Sequence, residues 1–339
     1  MVSSSSADAL RRLNIVGYAW IFSAFVIVFL CISSASILVL LSKASSTSCA
    51  FWRLFISSIV VWFAALLRKK WRGIFTNKKV LALTLISGFS LAIHFLLWME
   101  SLFWVPVSIS TSIVVTYPLF ILIFDYFVLK EKITYIQVLG LVGGFLGVLL
   151  FMHPKILAGH SVYGVFLALG GAFAASVYFI IGRIVRRNVG LLEYVVPTYS
   201  FASLTLFLFA VIIGENLIDY SPRTFIYFIL LALLPMIGGH TIMNYLLRFL
   251  KASIVTSIAL GEPVGASLLA YYILGQEIGW PRVLAMSIVL FSLALVISSG
   301  ITGESSHSFT INYHMRKAIQ HLHYLLLLQP YYYWCLARS

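Results

Sequence analysis

Ten long apolar stretches fill most of this 339-residue sequence and limit what it can fold into. Each stretch has about 20 mostly uncharged residues, the length that an α-helix needs to cross the hydrocarbon core of a bilayer. The sequence is 61% hydrophobic and only 10% charged, whereas soluble domains carry about 25% charged residues. This composition excludes a soluble enzyme, a secreted disulfide-rich module and a disordered chain. We therefore predict an all-α integral membrane protein.

Charged and turn-forming residues separate the apolar stretches into ten predicted spans with short connections. The spans are 15–41, 48–67, 80–101, 107–129, 133–151, 161–182, 194–214, 224–247, 252–274 and 280–300. The first is too long for a cleavable signal, whose apolar region has about 7–15 residues. Its serine-rich cluster at 33–36 is expected to loosen the middle of the helix. Outside the spans lie an N-terminal segment, 1–14, and a tail, 303–339, whose pattern suits a helix in the membrane interface.

Lys and Arg are distributed unevenly between the loops, and this bias indicates orientation. Thirteen lie in the second, fourth, sixth and eighth loops: Arg68, Lys69, Lys70, Arg72, Lys78, Lys79, Lys130, Lys132, Arg183, Arg186, Arg187, Arg248 and Lys251. The intervening loops hold four, namely Lys43, Lys155, Arg223 and Arg282. The net charge of +13 therefore reports topology and not a nucleic-acid surface. We expect a multi-pass protein of the plasma membrane with both termini cytoplasmic.

Metal and cofactor sites are not predicted. The three cysteines, Cys31, Cys49 and Cys335, form neither a disulfide framework nor a CxxC site. The histidines of the tail are interpreted as polar residues of the membrane interface. No GxxxxGK[ST] motif is present, so direct coupling to ATP is not expected.

Two blocks of the sequence, 107–134 and 252–279, resemble each other. At a shift of 145 the identical residues include Ser108 with Ser253, Thr111 with Thr256, Ser112 with Ser257 and Pro118 with Pro263. Upstream, His94 corresponds to His240 at a shift of 146. Each half, 15–151 and 161–300, holds five spans, and an odd number turns the second half upside down. Inverted repeats characterise secondary transporters, whose substrate site lies where the repeats meet.

Glu262 is the most informative ionisable residue, because charged groups at membrane depth usually face a cavity or a partner. It lies about ten residues into the ninth span and is followed by Pro263, which removes a backbone donor. The carboxyl is either a substrate or proton site, or a protonated group bonded to a neighbouring helix. Tyr117 and Pro118 take the corresponding place in the fourth span. The two prolines are predicted to be paired hinges or kinks.

Two further polar pairs have the spacing that puts both residues on one helix face. His94 and Trp98 form one pair, and His240 and Asn244 form the other. Each histidine either carries a proton, since imidazole titrates near neutral pH, or bonds to another helix. Arg53, near the outer end of the second span, either reaches to the outer interface or anchors an anionic group.

Other charged residues and glycines are expected to serve structure. Asp125 and Arg183 lie near the cytoplasmic ends of their spans, where we expect interfacial ion pairs. The spacings Gly140-xxx-Gly144 and Gly143-xxx-Gly147 predict that the fifth span approaches another helix closely.

Three stretches carry a resemblance to a known family: FWRL at 51–54, HFLLWMESLFWVPVSISTSIVVTYPLF at 94–120 and GHTIMNYLLRFLKASIVTSIALGEPVGASLLAYYILGQE at 239–277. They resemble the EamA-type drug/metabolite transporter superfamily over about residues 15–300. The resemblance implies ten helices in two inverted five-helix repeats, with alternating access around a central cavity. It also favours a cavity-lining role for Tyr117, Glu262 and their prolines, and for Tyr178. The tail after residue 302 departs from the family pattern.

The resemblance implies a secondary transporter of a small metabolite or drug, often an exporter. Energy would come from protons, from exchange or from the solute's own gradient, and oligomeric state is open. An exchanger of nucleotide-sugars or phosphorylated metabolites would need several cavity Lys or Arg, and Arg53 is the main candidate. A neutral or zwitterionic, amino-acid-like solute fits better. A membrane-embedded enzyme is the remaining alternative, but HExxH, paired Asp and GxSxG motifs are absent.

Overall fold

The structure, a computed structural model, describes residues 4–74, 77–152, 161–274 and 278–303. These residues form helices and no strand, so the all-α prediction is confirmed for them. The α-helices are α1 (Ser4–Ser33), α2 (Ala35–Ser42), α3 (Ser46–Leu67), α4 (Lys78–Trp104), α5 (Val107–Val114), α6 (Tyr117–Phe127), α7 (Tyr135–Met152), α8 (Val162–Arg186), α9 (Leu191–Ile213), α10 (Pro222–Leu231), α11 (Ile242–Leu246), α12 (Ala252–Ser257), α13 (Glu262–Leu274) and α14 (Trp280–Gly303). A π-helix, Ala232–Thr241, joins α10 to α11, and a 3₁₀ turn, Ile258–Gly261, joins α12 to α13.

Nine helical stretches among the described residues are long and apolar enough to cross a membrane. The fifth predicted span corresponds to α7, whose apolar part, Tyr135–Leu150, is shorter than the other nine, so a tenth crossing stays a prediction. The first helix begins at Ser4, inside the predicted N-terminal segment, and the tail from 304 onward lies outside the described residues. The packing described below concerns the compact unit Ala24–Gly300, and the other unit contributes the beginning of α1 and the end of α14.

Four of the spans are interrupted along their length. The first changes from α1 to α2 at Ser34, where the hydroxyls of Ser33 and Ser34 donate to the carbonyls of Phe29 and Cys31 at 2.6 and 2.8 Å. Such bonds compete with the regular helix ladder. The serine cluster therefore interrupts the helix where the sequence predicts loosening.

The other three interruptions each involve a proline. Pro118 and Pro263 lie in the first turn of α6 and α13, where a helix tolerates a missing N–H. The fourth span is accordingly split into α5 and α6, and the ninth into α12 and α13. Pro235 lies inside the π-helix that interrupts the eighth span. Each of these spans is thus two shorter helices with a special backbone segment between them.

Helices from the two halves of the chain interleave. In the described unit, α4 packs on α8 and α9, α3 packs on α9, α6 packs on α12, and α2 packs on α10. The fifth predicted span approaches its neighbour closely, since a Cβ at Gly140 would lie 2.5 Å from Val296 Cγ2 and 3.1 Å from the carbonyl of Ser292. Glycine is therefore required where α7 meets α14, as the spacing predicts.

Asp125 has a different role from the predicted interfacial ion pair. Its carboxylate is fully buried, and Oδ2 accepts a hydrogen bond from the backbone N–H of Ser253 at 2.9 Å. Gln137 donates to the Ser253 hydroxyl at 2.6 Å. These bonds hold the start of α12, where a helix has unpaired N–H groups and favours negative charge. Arg183 does form an ion pair, with Glu131 at 3.1 Å.

We expect Asp125→Ala to destabilise the fold, because it leaves the buried N–H of Ser253 without its acceptor. The cost of such a group is about 1–3 kcal/mol. Thermal unfolding in detergent should show a lower Tm for Asp125→Ala and a smaller decrease for Asp125→Asn, which keeps an acceptor oxygen. Asp219→Ala, in an exposed loop, is the matched control. An equal shift in the control would contradict the assigned role of Asp125.

Candidate functional site

A small cavity lies inside the bundle, lined by residues at or near the interrupted helices. Its lining residues come from six of the predicted spans: Ile32, Ala35, Arg53, His94, Phe95, Trp98, Val114, Tyr117, Pro235, His240 and Glu262. The volume of the cavity in this conformation is about 20 Å³, which is room for about one water molecule. The side chains around it are therefore drawn together.

The interruptions are what bring the lining residues to one level. Ile32 and Ala35 flank the junction of α1 and α2, and Tyr117 begins α6. Glu262 begins α13 directly after the 3₁₀ turn, and His240 belongs to the π-helix. Irregular backbone at membrane depth is tolerated where it lines a cavity or is buried in protein. All four interruptions meet this condition.

Arg53 and Glu262 provide one positive and one negative group. Both are buried, with exposed fractions of 1% and 8%. Within the described residues, Arg53 Nε and Nη1 and Glu262 Oε1 have no hydrogen-bond partner. The described ion pairs do not join the two residues. The guanidinium carbon lies 4.0 Å from the ring centre of Phe95, a cation–π contact. Buried polar atoms normally have partners, so these atoms are available to a molecule in the cavity.

Aromatic rings line most of the remaining wall. His94 and Trp98 are parallel, with ring centres 6.2 Å apart, and His94 lies 6.1 Å from His240. Nδ1 of His94 lies 2.9 Å from the carbonyl of Gly171. Because a carbonyl only accepts, Nδ1 carries the hydrogen and Nε2 is left as the acceptor of the neutral ring. The wall combines flat apolar faces with a few polar atoms, among them Trp98 Nε1 and His240 Nδ1, both without a partner in the described residues.

Asn244 and Tyr178 lie beside the cavity and not on its wall. The Asn244 amide donates to the His240 carbonyl at 2.8 Å and to the Tyr178 hydroxyl. The backbone carbonyl of Asn244 accepts from Arg186 Nε at 2.9 Å. Tyr199 donates to or accepts from Thr241 at 2.9 Å in the same region. A buried polar network thus leads from the cavity wall towards the end of α8.

Six of the eight predicted site residues therefore line one cavity, and the other two contact a lining residue or each other. The structure excludes one of the two interpretations of Arg53, since a buried guanidinium does not reach the outer interface. Sequence reasoning missed Phe95, although its spacing of three from Trp98 places it on the same helix face. It also missed Pro235, for which the signal was a proline in mid-span five residues before His240.

Curated relatives of this chain are named as transporters. The protein "Uncharacterized transporter YdfC" of Bacillus subtilis (strain 168) is 24% identical over 172 residues, covering 51% of this chain and 56% of the relative. The protein "Uncharacterized inner membrane transporter YedA" of Escherichia coli (strain K12) is 26% identical over 196 residues, covering 57% of this chain and 62% of the relative. The chain thus spans less than two thirds of the length of these relatives.

The fold is also found in a solved structure. A crystal structure of a protein matches 82% of this chain and 98% of its own chain, with a TM-score of 0.69 and 17% sequence identity. At this identity the likeness concerns the fold alone. A sequence model of the EamA-like transporter family matches the chain twice, at residues 15–153 and at residues 162–298. Together these matches cover most of the chain, which therefore belongs to the EamA-like transporter family.

Proposed function

We propose that this protein is a secondary transporter that exports a small zwitterionic, amino-acid-like solute by alternating access. The observation that carries the proposal is that one small cavity holds both a buried guanidinium and a buried carboxyl, with polar atoms that lack partners in the described residues. A buried charge without a partner is costly. A solute with a carboxylate and an ammonium offsets both charges, the carboxylate at Arg53 and the ammonium at Glu262.

The charge count of the cavity argues against phosphorylated solutes. A phosphate dianion needs several positively charged donors, and Arg53 is the one Lys or Arg among the lining residues of the described cavity. Glu262 adds a negative charge that repels a dianion. The flat walls made by Trp98, His94 and Phe95 suit an apolar group or an ammonium ion. Nucleotide-sugars and phosphorylated metabolites therefore fit the cavity poorly.

The inverted repeat is supported by the pattern of helix contacts. In an inverted repeat the third span corresponds to the eighth and the sixth span corresponds to the first. The contact of α4 with α8 then corresponds to the contact of α10 with α2, and the structure contains both contacts. In the same way, the contact of α4 with α9 corresponds to the contact of α3 with the π-helix. The contact of α6 with α12 corresponds to the contact of α13 with α5. The structure contains all four of these contacts. We propose ten crossings in two inverted halves, 15–151 and 161–300. In such an arrangement one half rocks against the other around a central site.

The size of the cavity supports a cycle with an occluded state. Sites for small molecules usually have about 300–1,000 Å³, far more than this conformation offers. The cavity therefore has to widen for a solute to enter, and the helix interruptions are the places where the backbone can bend. Pro118 and Pro263 mark two of them. We propose Glu262 as the group that exchanges a proton during the cycle.

We expect Glu262→Gln to abolish uptake driven by a pH gradient in proteoliposomes, because an amide does not take up or release the coupling proton. Counterflow of unlabelled against labelled solute should persist at saturating solute with a raised KM, since it needs no net proton movement but loses the charge that binds the ammonium. Glu193→Gln, a half-buried glutamate away from the cavity, is the matched control. Unchanged pH-driven uptake in Glu262→Gln would rule out proton coupling through this residue.

We expect Arg53→Gln to weaken transport of neutral L-amino acids about 10- to 100-fold, the factor for losing hydrogen bonds to a charged group. The corresponding primary amines, which lack the carboxylate, should be affected little. Competition against labelled substrate in proteoliposomes measures both. Arg72→Gln, at an exposed position, should change neither. Equal losses for amino acids and amines would contradict carboxylate binding at Arg53.

The proposed orientation predicts which loops face outward. In a cysteine-free background, Ile218→Cys should react with a membrane-impermeant thiol reagent on intact cells. Trp71→Cys should react only after permeabilisation. Both positions are exposed, at 78% and 41%, so accessibility within the fold does not limit the comparison. The reverse pattern of labelling would place the termini outside.

A further inference from the structure

One end of the bundle is held together by two glutamates that the proposed transport site does not use. The segments that meet there are the turn before α3, the end of α4 and the loop between α9 and α10. Under the proposed orientation this is the outer end. The two glutamates, Glu100 and Glu215, contact the same short stretch, Ser45–Ser48.

Glu215 binds the N-terminal turn of α3. Its Oε1 accepts from the hydroxyl of Ser45 at 2.5 Å and from that of Ser48 at 3.2 Å. The Tyr220 hydroxyl lies 2.9 Å from Ser48 Oγ and 3.3 Å from the same carboxylate oxygen. Gly214, with φ of +70°, ends α9 in the left-handed conformation that glycine adopts without strain. This turn reverses the chain and directs Glu215 towards α3.

Glu100 ties the same turn to α4. Its Oε2 accepts from the Ser46 hydroxyl at 2.6 Å, and its Oε1 accepts from the Trp104 indole at 2.8 Å. Two carboxylates thus face the start of α3, where the unpaired N–H groups of a helix favour negative charge. Neither glutamate takes part in an ion pair among the described residues. Hydroxyl and indole donors therefore hold the two carboxylates, and ion pairs do not.

The turn Ser45–Ser48 is directly connected, through α3, to a residue of the cavity wall. Ser46 and Ser48 are buried, and Arg53, five residues beyond Ser48 on the same helix, lines the cavity. The Trp52 indole donates to the Leu217 carbonyl at 2.7 Å and adds a second connection to the α9–α10 loop. Any outward tilt of the start of α3 away from α4 and α9 has to break the bonds of both glutamates. The same tilt would move Arg53 and widen the cavity on that side.

We propose that Glu100 and Glu215 form a latch that keeps the cavity closed at this end, with the turn Ser45–Ser48 as its moving part. The latch rests on the proposed alternating access, because it has a purpose only if this end opens. The two glutamates position α3 and do not contact the solute. Releasing either one shifts the resting population towards a conformation open on the side of the α9–α10 loop.

A reporter cysteine in the cavity tests the latch without any solute. Ala35→Cys lines the cavity and is placed in a background in which the native cysteines are alanine. A membrane-impermeant methanethiosulfonate is added to the side on which Ile218→Cys reacts, and the labelling rate is measured in vesicles. Glu215→Ala and Glu100→Ala should each raise the rate about 10- to 100-fold, the factor expected when a hydrogen bond to a charged group is lost. From the opposite side the rate should not rise.

Glu193→Ala is the matched control, because Glu193 lies in the first turn of α9, at the opposite end of the helix from Glu215, where it pairs with Lys70 at 4.0 Å. It should leave labelling from the Ile218 side unchanged. If a glutamate variant fails to fold, Ser45→Ala removes one partner of Glu215 and should raise the rate in the same direction. Unchanged rates in the glutamate and serine variants, an equal gain in the control, or a gain from the opposite side would overturn the latch. Absence of amino-acid transport would overturn the proposed solute and leave this readout intact.

Discussion

Backbone N–H and C=O groups inside a bilayer have to find partners within the protein, and the rest of this structure depends on that constraint. An uninterrupted helix satisfies these groups with its own backbone hydrogen bonds. The four interrupted spans meet this constraint only because their irregular segments turn towards one another around a common cavity. At one interruption the hydroxyls of Ser33 and Ser34 donate hydrogen bonds to backbone carbonyls, and prolines lie in or beside the other three interruptions. The cavity is thus the place where departures from helical backbone are permitted.

Much of this was predictable from the sequence, for a physical reason. Long apolar stretches fix the helices, and the scarcity of charge in them draws attention to Glu262 and to the repeated histidines His94 and His240. The sequence analysis left the facing of Arg53 open, although Ser57, four residues further on, is a polar residue on the same face of α3. The partner of Asp125 was missed for a related reason: the bond to Ser253 joins segments 128 residues apart, and local spacing does not report such contacts.

The two ends of the bundle are closed by different chemistry. At the end of Ser45, carboxylates accept from hydroxyls and an indole. At the other end, Glu131 pairs with Arg183 and Arg187, and Arg186 donates to backbone carbonyls of Asn244 and Val189. Salt screens exposed ion pairs, and Arg187, whose side chain is 40% exposed, contributes one such pair; hydrogen bonds between a half-buried carboxylate and hydroxyls respond much less to salt. Under the proposed alternating access, the free energies of opening the two ends would then respond differently to ionic strength.

The breaks before α6 and α13 occupy equivalent places, yet Tyr117 begins one and Glu262 begins the other. In the proposed inverted repeat, the backbone around the cavity is thus nearly two-fold, while the charge of these two residues is one-sided. The proposed zwitterionic solute would bind in one orientation, with its ammonium group towards α13. If the solute keeps this orientation through the proposed cycle, the end that leads on entry also leads on exit. The orientation of the bound solute would then depend on one side-chain difference between two matching helices.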